Sequence, residues 1–113
     1  MGKRSKFGAK RTKVDGISFD SAREAKRYQD LKYREMAGEI TNLRRQVPYE
    51  LRGRDGPLLT PTGRPMKYKA DFVYIDWLLN GVEVVEDAKG YPTPEYKIKR
   101  AVLAAQGVEV IEV

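Results

Sequence analysis

Asp71, Asp87 and Lys89 are the residues of this 113-residue chain whose types and spacing could do chemistry together. Asp71 lies in "YKADFVYI", where it shares parity with Val73 and Ile75 and so falls on an apolar face of a strand. In "VVEDAKG", Asp87 shares parity with Val85 and Lys89, whereas Glu86 has the opposite parity and is expected at solvent or in a salt bridge. If the two segments pair as a hairpin, two acids and a lysine meet at one end of it. Carboxylates about 4–6 Å apart repel and raise each other's pKa unless a cation lies between them. The spacing therefore predicts a metal site. Asp71 and Asp87 bind Mg2+, the backbone carbonyl of Ala88 adds a ligand, and Lys89 serves the attacking water or neutralises charge on a phosphate. Plainer roles are open to each residue. Asp71 could pair with Lys69 or Lys89, Asp87 could be a turn residue ahead of Gly90, and Lys89 could guard a strand edge.

Composition narrows the chemistry further. The chain has no histidine and no cysteine, which removes the imidazole base, the thiolate zinc site and any disulfide framework. A metal held here has oxygen ligands, which suit Mg2+, with Mn2+ as a substitute, rather than zinc. No apolar run approaches the roughly 18–20 residues of a membrane span, and the basic N-terminus lacks the apolar segment of a secretory signal. The net charge of +6 is unevenly placed. Lys3, Arg4, Lys6, Lys10, Arg11 and Lys13 precede any acid; they are six of the 22 basic residues, and the remaining 16 balance 16 acids. Residues 1–14 are expected to form a basic flexible arm, either merely solubilising or ordering against nucleic-acid phosphates, and residues 15–113 one domain.

The elements that must position the site are legible in outline. Ser21 with Glu24 has the capping-box spacing, so a helix is expected over residues 22–37, stopped by Gly38. Its inner face carries Glu24, Ala25, Tyr28, Leu31 and Lys32 or Glu35. "QVPYELR" alternates as a strand, and "GRDGPLLTPTGRP" reads as a loop. Two β-runs then turn at Asn80-Gly81. A second helix begins at Thr93-Pro94 and ends at Gly107, with Ile98, Ala101, Val102 and Ala105 inward, and "VEVIEV" closes the chain as a strand. The order α-β-β-β-α-β predicts an α/β domain with a mixed sheet flanked by helices.

These residues, in this order, resemble the PD-(D/E)XK nuclease superfamily. Glu24 in "SFDSAREAKRYQDL" matches the acid of its first helix, Asp71 the acid of one strand, and Asp87-Ala88-Lys89 the (D/E)-x-K of the next. "GEITNLRRQVPYEL" and "TPEYKIKRAVLAAQGVEVIEV" look like a small group of phage and prophage proteins within it, grouped as a domain of unknown function and regarded as endonuclease-like. The likeness spans roughly residues 14–113; Ala70 stands where the superfamily name has proline, a variable position.

The resemblance implies a restriction-endonuclease-like fold and Mg2+-dependent hydrolysis of DNA phosphodiester bonds by Glu24, Asp71, Asp87 and Lys89, with Glu24 reaching the ion through a water. It also implies a structure-selective endonuclease acting on branched DNA such as a Holliday junction in phage recombination or DNA processing. Homodimerisation would set two sites on two strands, and a phage-encoded protein would work in the cytoplasm of a bacterial host. Phosphate contacts are expected from the arm, from Arg52, Arg54, Arg64 and Lys67 in the loop, and from Lys97, Lys99 and Arg100, for which a solvated helix face is the alternative. Two other functions fit the same sequence: a nucleic-acid-binding module without catalysis, and a structural phage protein whose basic tail contacts DNA.

Overall fold

The computed structural model describes residues 11–88 and 92–113. The chain runs β1 (Thr12–Val14), β2 (Ile17–Phe19), α1 (Ala22–Met36), β3 (Ile40–Glu50), β4 (Arg52–Gly53), β5 (Gly56–Pro57) and β6 (Lys67–Asp76). After a 3-10 turn at Trp77–Leu79 come β7 (Val82–Asp87), α2 (Pro94–Ala105) and β8 (Val110–Glu112). The central sheet has the order β3-β6-β7-β8, antiparallel across its first two pairings and parallel at β7–β8. The parallel pair requires a crossover, and α2 is that crossover. The domain is thus α/β with a mixed sheet, as the element order implies.

Each face of the sheet has its own core. On one face, Phe19, Ala25, Tyr28 and Leu31 from β2 and α1 pack on Ile40, Phe72, Tyr74 and Val84. On the other, Tyr96 and Leu103 of α2 pack on Tyr68, Ala70, Val73, Val85, Leu51 and Val110. α1 begins where the capping residues place it: Ser21 accepts from the Glu24 N–H at 3.1 Å. α2 likewise begins at Thr93, which accepts from the Tyr96 N–H at 3.1 Å, with Pro94 in its first turn.

Four sequence expectations need correction. First, the buried stripe of α2 is Tyr96 and Leu103, while Ile98, Ala101 and Ala105 are exposed and Val102 is half-buried. Two large side chains at i and i+7 bury more surface than the smaller stripe, and they set the helix phase. Second, the Gly- and Pro-rich segment is not all loop: β4 and β5 pair, and Leu59 bridges Pro65. Third, the boundary expected at residue 14 falls inside the β1–β2 hairpin, which turns through Asp15 and Gly16.

The fourth correction bears on the site. Strict alternation along β6 would set Asp71 beside Val73 and Ile75, but the alternation breaks there. Tyr68 and Ala70 share the α2-side core with Val73, whereas Phe72 and Tyr74 belong to the α1 side. β3 breaks at the same level: Arg45 lies against Phe19 on the α1 side and Val47 joins the α2-side core. Between them Gln46 is left-handed, with φ of 53°. Arg45 pairs Phe72 and Val47 pairs Ala70, so the two irregular residues, Gln46 and Asp71, stand opposite each other and the register continues beyond them.

Candidate active site

Asp71 and Asp87 lie where two paired strands stop pairing. The β6–β7 ladder runs from Asp76↔Val82 to Phe72↔Glu86 and ends there. One step further, the Asp71 carboxylate takes over a ladder role, its Oδ2 accepting the Ala88 N–H at 2.9 Å. Asp71 is 6% exposed and Asp87 0%, and burial of a charged group on this scale demands partners.

Those partners differ. Gln46 Nε2 donates to Asp71 Oδ1 at 3.3 Å and to Glu24 Oε2 at 3.1 Å, so a single amide group joins the helix acid to the strand acid. Arg45 Nη2 stands 3.5 Å from the same Glu24 oxygen, with its guanidinium 4.5 Å from the centre of the Phe19 ring. Asp87, on the α2 side, accepts a hydrogen bond from the Tyr68 hydroxyl. Tyr68 in turn packs against Tyr96, their ring centres 5.8 Å apart. The capping-box alternative for Glu24 is half realised: its N–H binds Ser21, while its carboxylate goes to Gln46 and Arg45.

Electrostatics follow from burial. The Glu24 carboxyl is pushed up to about 7, first by desolvation and next by the charge of Asp71, against the pull of Arg45. The Tyr96 phenol is raised by burial and then by Asp87. Glu86 is buried, not at solvent: Arg27 grips it at 2.6 and 2.8 Å and the Tyr74 hydroxyl donates to it at 2.6 Å. The salt bridge expected for it is present, and it ties α1 to β7.

The structure therefore brings Glu24 and Asp71 to one point, while Asp87, the residue before the Ala88 that Asp71 binds, gives its carboxylate to Tyr68. Among the described residues no group of three or more acids is already gathered to hold a metal ion. The donors themselves fit a hard divalent ion: Glu24 and Asp71 are buried carboxylates that bracket one nitrogen, with no softer ligand beside them. Ala88 enters through its N–H. Lys89 lies outside the described residues, as do Lys3, Arg4, Lys6 and Lys10.

The other basic residues are dispersed. Lys13 is exposed on β1, and Arg11 lies 3.9 Å from Asp20. Arg64 is exposed in the turn that Thr60 closes. Lys67, with Lys69 and Lys99, lines a groove of about 540 Å3 beside Tyr68 and Tyr96. Lys97 lines a second groove with Arg100 along α2 and β8. Lys99 pairs with Glu95 at 3.0 Å, and Arg100 pairs with Glu112.

A family model described as "Protein of unknown function (DUF1064)" matches residues 4–112, nearly the whole chain. The chain belongs to this family. No curated protein and no solved structure matched it. The matched span of the DUF1064 chain includes Glu24, Asp71, Asp87 and the two residues that sequence reasoning missed, Arg45 and Gln46. Gln46 heads the alternating run "QVPYELR" and carries no separate signal, because a left-handed glutamine within a strand leaves no mark on residue pattern.

Proposed function

We propose that this protein is a metal-dependent endodeoxyribonuclease of the PD-(D/E)XK type, with a restriction-endonuclease-like fold. It hydrolyses DNA phosphodiester bonds at the end of β6 and β7. One observation supports this above the others: two buried acids, Glu24 and Asp71, meet through one amide at the point where two central strands part, and a third buried acid, Asp87, lies on the neighbouring strand. Structural ion pairs explain Glu86 and Asp76, each gripped by an arginine of α1, whereas Glu24 and Asp71 are linked to each other through the amide of Gln46, with Arg45 beside Glu24.

In this reading Glu24 and Asp71 would hold the divalent ion, Mg2+ or Mn2+, and Asp87, whose carboxylate accepts from Tyr68, and the carbonyl of Ala88 would be the further ligands that the resemblance implies. Once bound, the ion would lower the pKa of the attacking water. Lys89 orients that water or meets the charge developing on the phosphate. Arg45 pairs with the Glu24 carboxylate, and the Tyr68 hydroxyl donates to that of Asp87. Branched DNA such as a Holliday junction is the proposed substrate, with two sites of a homodimer serving two strands, in the cytoplasm of a bacterial host. No helix among the described residues is long and apolar enough to cross a membrane.

The test is strand scission of labelled linear and branched DNAs in Mg2+. Wild type should cut, EDTA should stop it, and Asp71→Asn should slow cutting by at least about 100-fold while DNA affinity changes little. Undiminished cutting in EDTA defeats the metal role. A wild type that binds every DNA and cuts none leaves a binding module without catalysis.

A further inference from the structure

We propose that Gln46 is a ligand-in-waiting of the Glu24–Asp71 pair: its amide nitrogen holds the two carboxylates when no cation is present, and its amide oxygen joins them in binding a divalent cation. The inference rests on the reading of this pair as a cation site and adds to it a residue that no acidic motif contains.

Three features of Gln46 converge on this role. Its Nε2 donates to Glu24 Oε2 at 3.1 Å and to Asp71 Oδ1 at 3.3 Å, the position from which a shared cation would serve both acids. Both partners are acceptors, so the nitrogen is the end of the amide that faces them. Its backbone is left-handed, with φ of 53°, a conformation that glycine or asparagine adopts more readily than glutamine. Glycine here would relieve the backbone but leave two buried acids facing each other with no donor between them. Finally, Gln46 stands opposite Asp71 at the one level where β3 and β6 both change faces. That break turns its side chain out of both cores and into the gap between α1 and the sheet.

A carboxamide has a donor at one end and an acceptor of similar size at the other, exchanged by a turn of about 180° about its last torsion. The donor end suits two carboxylate oxygens. The acceptor end suits a hard cation that has replaced it. The same side chain therefore stabilises the site in either state, and it adds no negative charge to a pair that already repels.

The test reads Mn2+ binding by calorimetry and by the shift of the thermal unfolding midpoint, with no activity needed. Gln46→Met keeps the length and removes both ends of the amide. It should lower the midpoint of the cation-free protein and weaken Mn2+ about tenfold or more. Gln46→Glu should also lower the cation-free midpoint, through a third buried carboxylate, but should tighten Mn2+ by about tenfold. Mn2+ binding by Gln46→Met within about twofold of wild type overturns the role of Gln46 and leaves the metal site standing. A wild type that binds no Mn2+ at millimolar concentration overturns the cation site itself, and this inference with it.

Discussion

Glu24 shows how one residue can serve a helix and a site at once. Its backbone N–H satisfies the cap at Ser21, and its carboxylate is carried into a buried pocket beside Asp71. The consequence is measurable in the pH dependence of stability. In the folded protein the carboxyl titrates near 7 against an ordinary value of 4.5, so folding favours the protonated form. Its contribution is fully present below about pH 4.5 and is lost as pH rises through about 7. In EDTA, Glu24→Gln should therefore cost little at pH 5 and gain on wild type by pH 8, read from thermal unfolding midpoints. A difference between the two proteins that stays constant from pH 5 to pH 8 would refute the buried-pair account. Added Mg2+ should stabilise wild type more at pH 8 than at pH 5, since protons compete for the same oxygens.

At the scale of elements, α1 is fastened to the sheet by charge as well as by its apolar stripe. Arg27 meets Glu86 of β7 through two hydrogen bonds, and Arg34 meets Asp76 at the end of β6 at 2.9 Å. Glu86 is 1% exposed and also receives the Tyr74 hydroxyl, whose phenol is pushed up to about 12 by burial first and by Glu86 next. Removing one partner from such a pair strands the other charge in the core. Arg27→Met should destabilise the domain by about 3 kcal/mol or more in denaturant unfolding, and Glu86→Gln by less, because its amide can still accept. Negligible losses from both variants would mean that α1 packs without help from the pair. The same network keeps Glu24 where it is, since Glu24 and Arg27 lie on adjoining turns of one helix.

For the whole molecule, the described domain is nearly self-neutral and spends many of its cations on itself. Arg27, Arg34, Arg44, Lys99 and Arg100 all meet acids of the same chain. The formal +6 therefore comes from residues 1–14, and sequence-independent affinity for DNA should depend on that segment. Deleting residues 1–10 removes Lys3, Arg4, Lys6 and Lys10, and the slope of log affinity against log salt should fall by about 3. Fluorescence anisotropy across a salt series measures it, and an unchanged slope would assign the phosphate contacts to the grooves lined by Lys67, Lys69, Lys97 and Lys99 instead.

Local rules gave the sequence its authority over local features. Ser21 and Thr93 start the helices, Asn80-Gly81 turns a hairpin through two left-handed residues, and the stripe of Ala25, Tyr28 and Leu31 is the buried face of α1. Each depends on residues within one turn of one another. Acidic residues at 24, 71 and 87 could likewise be singled out by type and order. What only the tertiary structure decided is that Glu24 and Asp71 meet through Gln46 while Asp87 goes to Tyr68. Period-two parity assumes an unbroken strand, and Gln46 and Asp71 break two strands at the same level, so faces counted from sequence fail beyond that point. The left-handed turn at Gln46 is stabilised by contacts from α1 and β6, 22 and 25 residues away in sequence, and no short window of sequence contains them.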